Sequence, residues 1–208
     1  MVMQFKELWN DLHKENAPGK PVYDEWLDKY QDILEGCSTA VLDLGCGNGN
    51  NTLYLREKGL PVIACDHSEV ALQQVQQEIP DVETMLVDIS ERLPFDNDSF
   101  DVVVADLCLH YFDECTTVQI MHEIKRVLRS KGHLFARVNS IQDSNYGAGR
   151  GEKIEENYYF VEGYNKRFFS VEDAKRFFSI VGKVDVREAD MLRYRKPKRV
   201  IKVKVEKG

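Results

Sequence analysis

The feature that most constrains the fold is a regular succession of short apolar runs, each followed by a segment with helical spacing. Five runs of strand length occur before residue 140, at 40–44, 61–66, 83–88, 100–106 and 133–139. These runs are almost continuously apolar, so both faces of each strand would be buried. The pattern therefore predicts an α/β fold in which a mostly parallel sheet lies between two layers of helices.

The segments between the apolar runs have the spacing of amphipathic helices. We expect helices at 50–58, 68–79 and 116–129, and a short one near Ser90. Ser68 is placed to cap the second of these helices. Apolar residues of that helix recur at intervals of three and four, namely Ala71, Leu72, Val75 and Ile79.

The last 39 residues have a different order of elements. Ser170 with Asp173 three positions later resembles a capping box, which predicts a helix from 170 to about 181. Two segments with strand alternation follow at 183–189 and 200–206, joined by a basic connector. They predict an antiparallel hairpin as the last two strands of a seven-stranded sheet.

Two further regions lie outside this repeating pattern. Residues 1–35 predict a helical appendage, with helices at 5–14 and 23–34 and a turn at 18–21. Residues 141–169 have little periodicity and are rich in Gly, Tyr, Asn and charge, and a loop of this length in a compact domain is usually functional. We expect one domain over 1–208, with a core at 36–140, both regions forming a lid over it, and the helix and hairpin at 170–208.

Composition excludes several other classes of protein. The chain of 208 residues is 43% hydrophobic and 30% charged, which is typical of a folded globular domain and not of a disordered one. No apolar run approaches the roughly 18 residues of a membrane span, and the first residues do not resemble a secretory signal. We therefore expect a cytoplasmic protein with no membrane partner. The five cysteines form no CxxC pair and have no metal-type histidine spacing, so no metal site is expected.

The chain is acidic overall but has a basic end. Its net charge is −7, whereas residues 193–208 hold eight basic residues and one acidic residue. A nucleic-acid-binding protein usually has a basic face, so binding of nucleic acid is not favoured. We interpret the basic end as a solvated connector and solvated strand ends, and the alternative is a binding patch.

The chemistry-bearing motif is the strand-to-helix turn within residues 41–55, VLDLGCGNGNNTLYL. A strand that turns on glycines into a helix N-terminus presents unpaired N–H groups to a polar or anionic ligand. Asp66, about twenty residues later at the end of the second strand, is placed to accept two ribose hydroxyls. The glycine spacing is GxGxG and not the GxGxxG of dinucleotide enzymes. Asp43 before the turn would repel a pyrophosphate and attract an ammonium or a sulfonium.

This turn, together with later segments, resembles the motifs of class I S-adenosylmethionine-dependent methyltransferases. The later segments are VIACD at the second strand, Asp88-Ile89 after the third, LPFDNDSFDVVVADLCLHYF around the fourth, and VLRSKGHLFARVN, which covers a helix end, a glycine turn and the fifth strand. The resemblance covers about residues 38–140 and implies a Rossmann-like methyltransferase fold with S-adenosylmethionine as cofactor. A weaker likeness links the chain to small enzymes that act on metabolites or on tellurite-like oxyanions.

The resemblance also implies a role for each matching residue. The turn would contact the methionine part of the cofactor, Asp66 its ribose and Asp88 its adenine, although Asp88 could instead cap a turn. The carbonyl of Ala105 or Asp106 would receive the ammonium, with help from Asp43. The complete predicted cofactor set is Asp43, Gly45, Cys46, Gly47, Asn48, Asp66, His67, Asp88, Ile89, Ala105, Asp106 and Leu107.

The methyl acceptor should bind where the fourth strand ends, beneath the two appendages. His110 and Tyr111 follow this strand and are candidate catalytic residues that could orient the acceptor or take a proton, whereas the alternative for His110 is a packed loop histidine. Aromatic and basic residues of the appendages suit a small planar or anionic acceptor, or else pin the lid to the core. The predicted acceptor-binding residues are Trp9, His13, Tyr23, Tyr146, Arg150 and Tyr164.

Three functions remain open at this point. The first is methyl transfer by in-line displacement to a small-molecule acceptor. The second is a methyltransferase that acts on protein or RNA, for which the basic end is the only support. The third is a non-catalytic module that binds S-adenosylmethionine. The fourth strand ends in Ala105-Asp106-Leu107-Cys108 rather than in an NPPY-type sequence, which argues against nucleobase and glutamine amides as acceptors. The sequence does not distinguish a monomer from a homodimer.

Overall fold

The computed structural model describes residues 2–15 and 20–208, and within the first of these ranges it describes the side chains of residues 7–14. Ten strands are present in the described chain. They are β1 (Val41–Leu44), β2 (Val62–Asp66), β3 (Glu83–Leu86), β4 (Phe100–Asp106), β5 (Leu128–Asn139), β6 (Glu152–Glu155), β7 (Tyr158–Val161), β8 (Tyr164–Arg167), β9 (Lys183–Met191) and β10 (Lys198–Glu206). Seven of them form a central sheet and three form a small separate sheet.

The central sheet has the spatial order β3-β2-β1-β4-β5-β10-β9. The first five strands in this order pair in parallel, and β10 pairs antiparallel with both β5 and β9. This arrangement confirms the predicted mostly parallel sheet with its C-terminal antiparallel hairpin. The last strand, β10, lies between β5 and β9, so it is an inner strand of the sheet and β9 forms the edge.

Six helices belong to the described part of the chain. They are α1 (Val2–Glu15), α2 (Gln31–Glu35), α3 (Asn50–Glu57), α4 (Glu69–Glu78), α5 (Glu114–Val127) and α6 (Val171–Phe178). The Ser68 hydroxyl accepts a hydrogen bond from the Ala71 N–H, and Ser170 and Asp173 form the expected capping box. Over the described residues, no helix is both long enough and apolar enough to cross a bilayer.

Two predicted helices are wrong. Near Ser90 the chain makes a turn instead, because the N–H and hydroxyl of Ser90 both donate to Asp88 and replace helical hydrogen bonds. Over 23–34 the structure has a 3₁₀ turn, Asp28–Tyr30, followed by the short α2. The predicted turn at 18–21 falls partly on residues outside the described ranges.

The core is divided by the sheet into two apolar clusters. In β4, Val103 and Ala105 face a cluster that includes residues of α5 and α6, whereas Val102 and Val104 face a cluster that includes residues of α3 and α4. Side chains alternate between the two faces of a strand, so the two clusters lie on opposite faces. Helices therefore cover both faces of the sheet, as predicted.

Residues 20–35 belong largely to the core rather than to a lid. Trp26, Leu27, Tyr30 and Leu34 are all buried in the second cluster. The Tyr30 ring stacks on Phe135 of β5, with ring centroids 4.1 Å apart. The part of the N-terminal region that can still act as a lid is α1, which packs against α4.

The insertion at 141–169 is not a structureless loop, and this expectation is corrected by the structure. It contains the antiparallel sheet β6-β7-β8, whose strands have only four residues each. Strands this short show too few alternations to be detected in the sequence. The small sheet is fixed to the core because the Arg167 N–H donates to the His110 carbonyl at 2.7 Å and the Tyr158 hydroxyl donates to the Tyr111 carbonyl at 3.1 Å.

Candidate functional site

A cavity of about 420 Å³ lies where the carboxyl ends of β1, β2 and β4 meet. The strand order reverses between β1 and β4, because β2 and β3 lie on one side of β1 while β4 and β5 lie on the other, and ligands of open α/β sheets bind at such a switch point. Residues from the glycine turn, α1, the small sheet and the connector before β10 all line this cavity. The cavity therefore brings together segments that are far apart in the sequence.

The glycine turn brings bare backbone to one side of the cavity. Gly45, Gly47 and Gly49 all have positive φ, a backbone conformation that residues other than glycine rarely adopt. A Cβ on Gly45 would lie 2.4 Å from the Cβ of Cys108, so no larger residue fits there. A Cβ on Gly47 would meet only the Cε1 of His13, at 3.7 Å. The Gly47 backbone consequently faces the cavity, with His13 of α1 above it.

Asp66 at the end of β2 lies directly beside this turn. Its Oδ2 accepts the Gly47 N–H at 2.8 Å, and its Oδ1 accepts the Ser68 N–H at 2.9 Å. Each carboxylate oxygen has a second lone pair, so both can still accept a hydroxyl from a ligand. Asp66 is 9% exposed and lines the cavity, which is the position expected of a ribose-binding acid.

Asp88 and His67 form the neighbouring wall. The His67 Nδ1 lies 3.5 Å from the Asp88 Oδ2, and both residues line the cavity together with Ile89. The Nε2 of His67 is buried without a hydrogen-bond partner among the described residues. Asp88 also caps the turn at Ser90, which was the alternative role, and it lines the cavity, so its predicted contact with adenine stays a prediction.

Asp43 lies behind the glycine turn and does not line the cavity. Its side chain is fully buried, its Oδ2 accepts the Thr52 hydroxyl at 2.6 Å, and its Oδ1 has no partner in the described chain. Burial raises the pKa of Asp43 to about 7, and the nearby carboxylates of Asp106 and Asp66 add to this shift. A cation bound nearby would favour the ionised form of this carboxyl group.

A buried ion network surrounds Asp106 at the end of β4, and the sequence analysis did not anticipate it. Arg137 of β5 is fully buried and donates from Nε to the Asp106 Oδ1 at 2.7 Å. Arg137 also pairs with Asp24 and packs its guanidinium over the Trp26 ring at 4.4 Å. Arg193 lies 3.4 Å from Asp24 and from Asp106. The Asp106 side chain is therefore neutralised by protein groups, and Ala105 is buried away from the cavity wall.

The opposite end of the cavity is aromatic. The ring of Tyr111 lies 4.6 Å from Trp9 and 5.9 Å from Tyr164, measured between centroids. Burial raises the pKa of Tyr111 well above its usual value, so its hydroxyl stays protonated. Burial, with repulsion from Lys198 and Lys166, holds the pKa of His110 well below its usual value. His110 is therefore a neutral imidazole at physiological pH.

Most predicted site residues lie at this cavity, and a few do not. Of the predicted cofactor set, all except Asp43 and Ala105 line it. Of the predicted acceptor set, Tyr23 and Arg150 lie elsewhere. The Tyr23 hydroxyl donates to Glu57, and the exposed Arg150 donates to the Ser144 carbonyl. The prediction is therefore wrong for both residues, because Tyr23 makes a structural contact and Arg150 lies on the surface. The remaining predicted residues that line the cavity are Trp9, His13, His110, Tyr111, Tyr146 and Tyr164.

Several cavity residues were missed by the sequence analysis, two of them in the core and four in the small sheet or the basic end. They are Asn51, Asn139, Lys166, Arg193, Tyr194 and Lys198. Lys198 and Arg193 belong to the basic end, which we expected to be solvated, yet Lys198 is buried and its Nζ lies 3.1 Å from the Asp143 Oδ2. The available signal was a cluster of basic residues with a tyrosine next to the last strand. Whether these residues face the cavity depends on how the β9–β10 connector folds back.

Comparison with known proteins gives a consistent result. A family model described as a methyltransferase domain matches residues 41–132. An uncharacterized methyltransferase of Synechocystis sp. is 35% identical over 106 residues, which is 51% of this chain and 49% of that protein. The chain spans about half the length of the curated relatives that it matches.

Solved structures share the fold at low sequence identity. A Mesorhizobium loti S-adenosylmethionine-dependent methyltransferase has a TM-score of 0.65 at 18% identity, covering 87% of this chain and 97% of that one. The 1,6-didemethyltoxoflavin-N1-methyltransferase of Burkholderia thailandensis, solved with 1,6-didemethyltoxoflavin and S-adenosylhomocysteine, has a TM-score of 0.61 at 19% identity. It covers 96% of this chain and 76% of that one.

Proposed function

We propose that this chain, which contains a class I S-adenosylmethionine-dependent methyltransferase domain, transfers a methyl group from S-adenosylmethionine to a small-molecule acceptor. The observation that carries the proposal is the cavity itself. One side has the glycine turn, Asp66 and Asp88, and the other side has His110 and an aromatic wall. A donor site and an acceptor site therefore share one cavity.

The described residues fit the proposed cofactor. The Gly47 backbone is open to the cavity, which allows a ligand to approach the turn closely. The unpartnered Oδ1 of Asp43 gives the ligand's ammonium a buried negative charge behind the turn, reached directly or through a water molecule. Asp66 would accept the two ribose hydroxyls, Asp88 would accept the adenine amino group, and the Ile89 N–H would face a ring nitrogen.

When bound, S-adenosylmethionine supplies an electrophilic methyl group on a sulfonium, and the methyl carbon–sulfur bond breaks as the acceptor forms its own bond to that carbon. The protein needs no covalent intermediate for this displacement, so positioning and exclusion of water supply most of the rate. Neutral His110 can form a hydrogen bond with the acceptor because its Nδ1 is unpartnered among the described residues, whereas its lowered pKa makes it a weak proton acceptor. Tyr111 remains protonated and can orient the acceptor as a hydrogen-bond donor.

A small molecule is favoured as acceptor because the acceptor side is enclosed. Trp9 of α1 and Tyr164 of the small sheet both cover Tyr111. A folded protein or RNA duplex could not reach His110 past these rings, since the imidazole is buried. The structurally similar methyltransferase from B. thailandensis was solved with 1,6-didemethyltoxoflavin bound, which supports the same choice.

The proposed lid is α1 together with the small sheet. The Asn10 Oδ1 of α1 accepts the Ser68 hydroxyl at 2.7 Å, which holds α1 at the N-terminus of α4. Closure of such a lid would exclude water from the reacting groups. A cytoplasmic location and the lack of a nucleic-acid partner stay predictions of the sequence.

Titration calorimetry tests the cofactor assignment. We expect S-adenosylmethionine and S-adenosylhomocysteine to bind in the low micromolar range or tighter, and NAD not to bind. Labelled S-adenosylmethionine incubated with the protein and a cell extract tests the reaction, and we expect the label in small molecules. Binding of NAD alone would refute the cofactor. Label confined to protein or RNA would refute the acceptor class, and tight binding without any transfer would indicate a non-catalytic module.

A further inference from the structure

We propose that the acceptor is a small acid whose carboxylate or oxyanion binds between Lys166 and Lys198. This inference rests on the proposed function, because it names the chemical class of the acceptor for the same cavity. Lys166 belongs to β8 of the small sheet, and Lys198 begins β10. Both line the cavity at the end that also holds His110 and Tyr146.

The two lysines are unusual because they are buried. Lys166 is 6% exposed and Lys198 is 8% exposed, whereas lysine is almost never this buried unless it is paired. Lysines on the outer surface of a domain would not be expected to converge on one cavity. Their burial at a shared wall indicates that this wall is built to present positive charge.

Their protein partners leave part of this charge available. Lys166 donates to the Glu162 Oε2 at 2.6 Å, but the Glu162 side chain is 61% exposed, so water screens its charge. Lys198 donates to the fully buried Asp143 at 3.1 Å. An ammonium group has three N–H donors, and each of these contacts uses one of them. Each lysine also lies over a tyrosine ring, at 4.5 Å for Lys166 over Tyr164 and at 4.4 Å for Lys198 over Tyr146.

The two ammonium groups are close enough to act on each other and on His110. Repulsion from Lys166 adds to the effect of burial in lowering the pKa of Lys198, while Asp143 opposes it. Both lysines also disfavour the protonated form of His110. Two positive charges held together in a poorly solvated space repel each other, and a bound anion would relieve that repulsion.

Two unpartnered polar atoms at the same wall point independently to a ligand. The Nδ1 of His110 and the Oδ1 of Asn139 are buried and make no hydrogen bond within the described ranges, and both side chains line the cavity. Buried polar atoms are nearly always satisfied, since leaving them unpaired is unfavourable. The Asn139 oxygen is an acceptor, so it fits a hydroxyl or amino group of the ligand beside the anionic group.

Arg193 is not part of the proposed anion site. It lies 3.4 Å from Asp24 and from Asp106, and these carboxylates balance its charge. The tyrosines of this end contribute apolar surface instead. Tyr146 and Tyr194 lie with ring centroids 5.8 Å apart, and they would flank the body of a planar acid.

The test uses the full chain saturated with S-adenosylhomocysteine. Acetate, benzoate and inorganic phosphate are titrated separately, with acetamide and benzamide as neutral counterparts, and binding is followed by calorimetry. We expect at least one anion to bind at least tenfold more tightly than either amide. Failure of every anion to bind, or the lack of any anion that binds more tightly than the two amides, would overturn the proposal.

Two variants and a control locate the binding. Lys166→Met should weaken anion binding about tenfold or more. Lys198→Met is combined with Asp143→Asn, because a lone buried carboxylate could unfold the protein. Lys153→Met is the matched control, since Lys153 is an exposed lysine of the same small sheet, paired with Glu156. It should leave anion binding unchanged.

The same experiment separates this inference from the proposed function. If S-adenosylhomocysteine does not bind the unaltered chain, the proposed function itself fails. If it binds and the two lysine variants retain full anion affinity, only the anion site fails. If Lys166→Met weakens S-adenosylhomocysteine as much as the anion, Lys166 belongs to the cofactor site and the proposal is wrong.

Discussion

The two ends of the cavity differ in where their residues come from. The cofactor end is made by the turns after β1, β2 and β3, all within residues 41–132, which also match the methyltransferase family. The acceptor end combines His110 and Tyr111, which follow β4, with residues of α1, the small sheet and the connector before β10. The first end therefore depends on local sequence order, whereas the second depends on how distant segments pack together. The first end can therefore be predicted largely from the sequence, whereas the second cannot.

The largest effect, a loss of stability, is expected at the buried ion network of Asp106 and Arg137, which lies between the two ends of the cavity. Arg137→Leu should lower the free energy of unfolding by about 3–5 kcal/mol, because it leaves Asp106 buried without its main partner. Urea unfolding measures this change. Arg129→Leu on the same strand is the control, and its half-exposed pair with Asp101 should contribute less than about 1 kcal/mol. Equal destabilisation by both changes would show that the buried network contributes no more to stability than a half-exposed ion pair.

Asp66→Ala should weaken only the cofactor end. A hydrogen bond to a charged group is worth about 1.5–3 kcal/mol, so the dissociation constant for S-adenosylhomocysteine should rise at least about tenfold. Calorimetry gives this constant, and circular dichroism checks that the variant is folded. Asp185→Ala, at an exposed position of β9, serves as the control and should bind normally. An unchanged constant in folded Asp66→Ala would remove this residue from the site.

Asp43 gives the cofactor end a pH dependence. Its pKa is about 7 in the folded protein and lower in the unfolded chain, so its contribution to stability is lost as pH rises toward 7. A bound ammonium favours the ionised carboxylate, so affinity for S-adenosylhomocysteine should rise about tenfold from pH 6 to pH 8. Binding at pH 6 should also release a proton, which calorimetry in two buffers detects. Asp43→Asn should abolish both effects, and persistence of either would exclude Asp43 as their source.

Trp9→Ala should affect only the acceptor end. The edge contact of Trp9 with Tyr111 is worth about 0.5–1.5 kcal/mol, so transfer of labelled methyl groups to a small-molecule extract should fall by up to about tenfold. Affinity for S-adenosylhomocysteine should stay within about twofold, as calorimetry will show. A loss of cofactor affinity as large as the loss of transfer would mean that α1 serves the cofactor end.

The smallest effect is expected at Arg150. This exposed side chain donates only to the Ser144 carbonyl in the described structure and lies outside the cavity. Arg150→Ala should therefore change stability by no more than about 0.5 kcal/mol and leave methyl transfer unaltered. Thermal unfolding and the extract assay measure both. A clear fall in transfer would restore Arg150 to the acceptor site.

The sequence by itself determined the sheet, its parallel and antiparallel parts, and the positions that form the cofactor end. The sheet depends on local patterns, namely apolar runs and caps. Asp66, which ends β2, follows from its distance after the glycine turn, whereas Asp88, two residues after β3, was placed by the resemblance to methyltransferase motifs. Carboxyl ends of parallel strands meet at one edge, so their order in the chain already places these groups together.

Only the tertiary structure decided the acceptor end. Lys198 resembles any other residue of the basic end until the β9–β10 connector turns it inward, and Tyr23 resembles an acceptor residue until it pairs with Glu57. Strands of four residues, such as β8 with Lys166, leave no periodic trace in the sequence. Burial of a charged side chain depends on packing between distant segments, and no local pattern of residues encodes that packing.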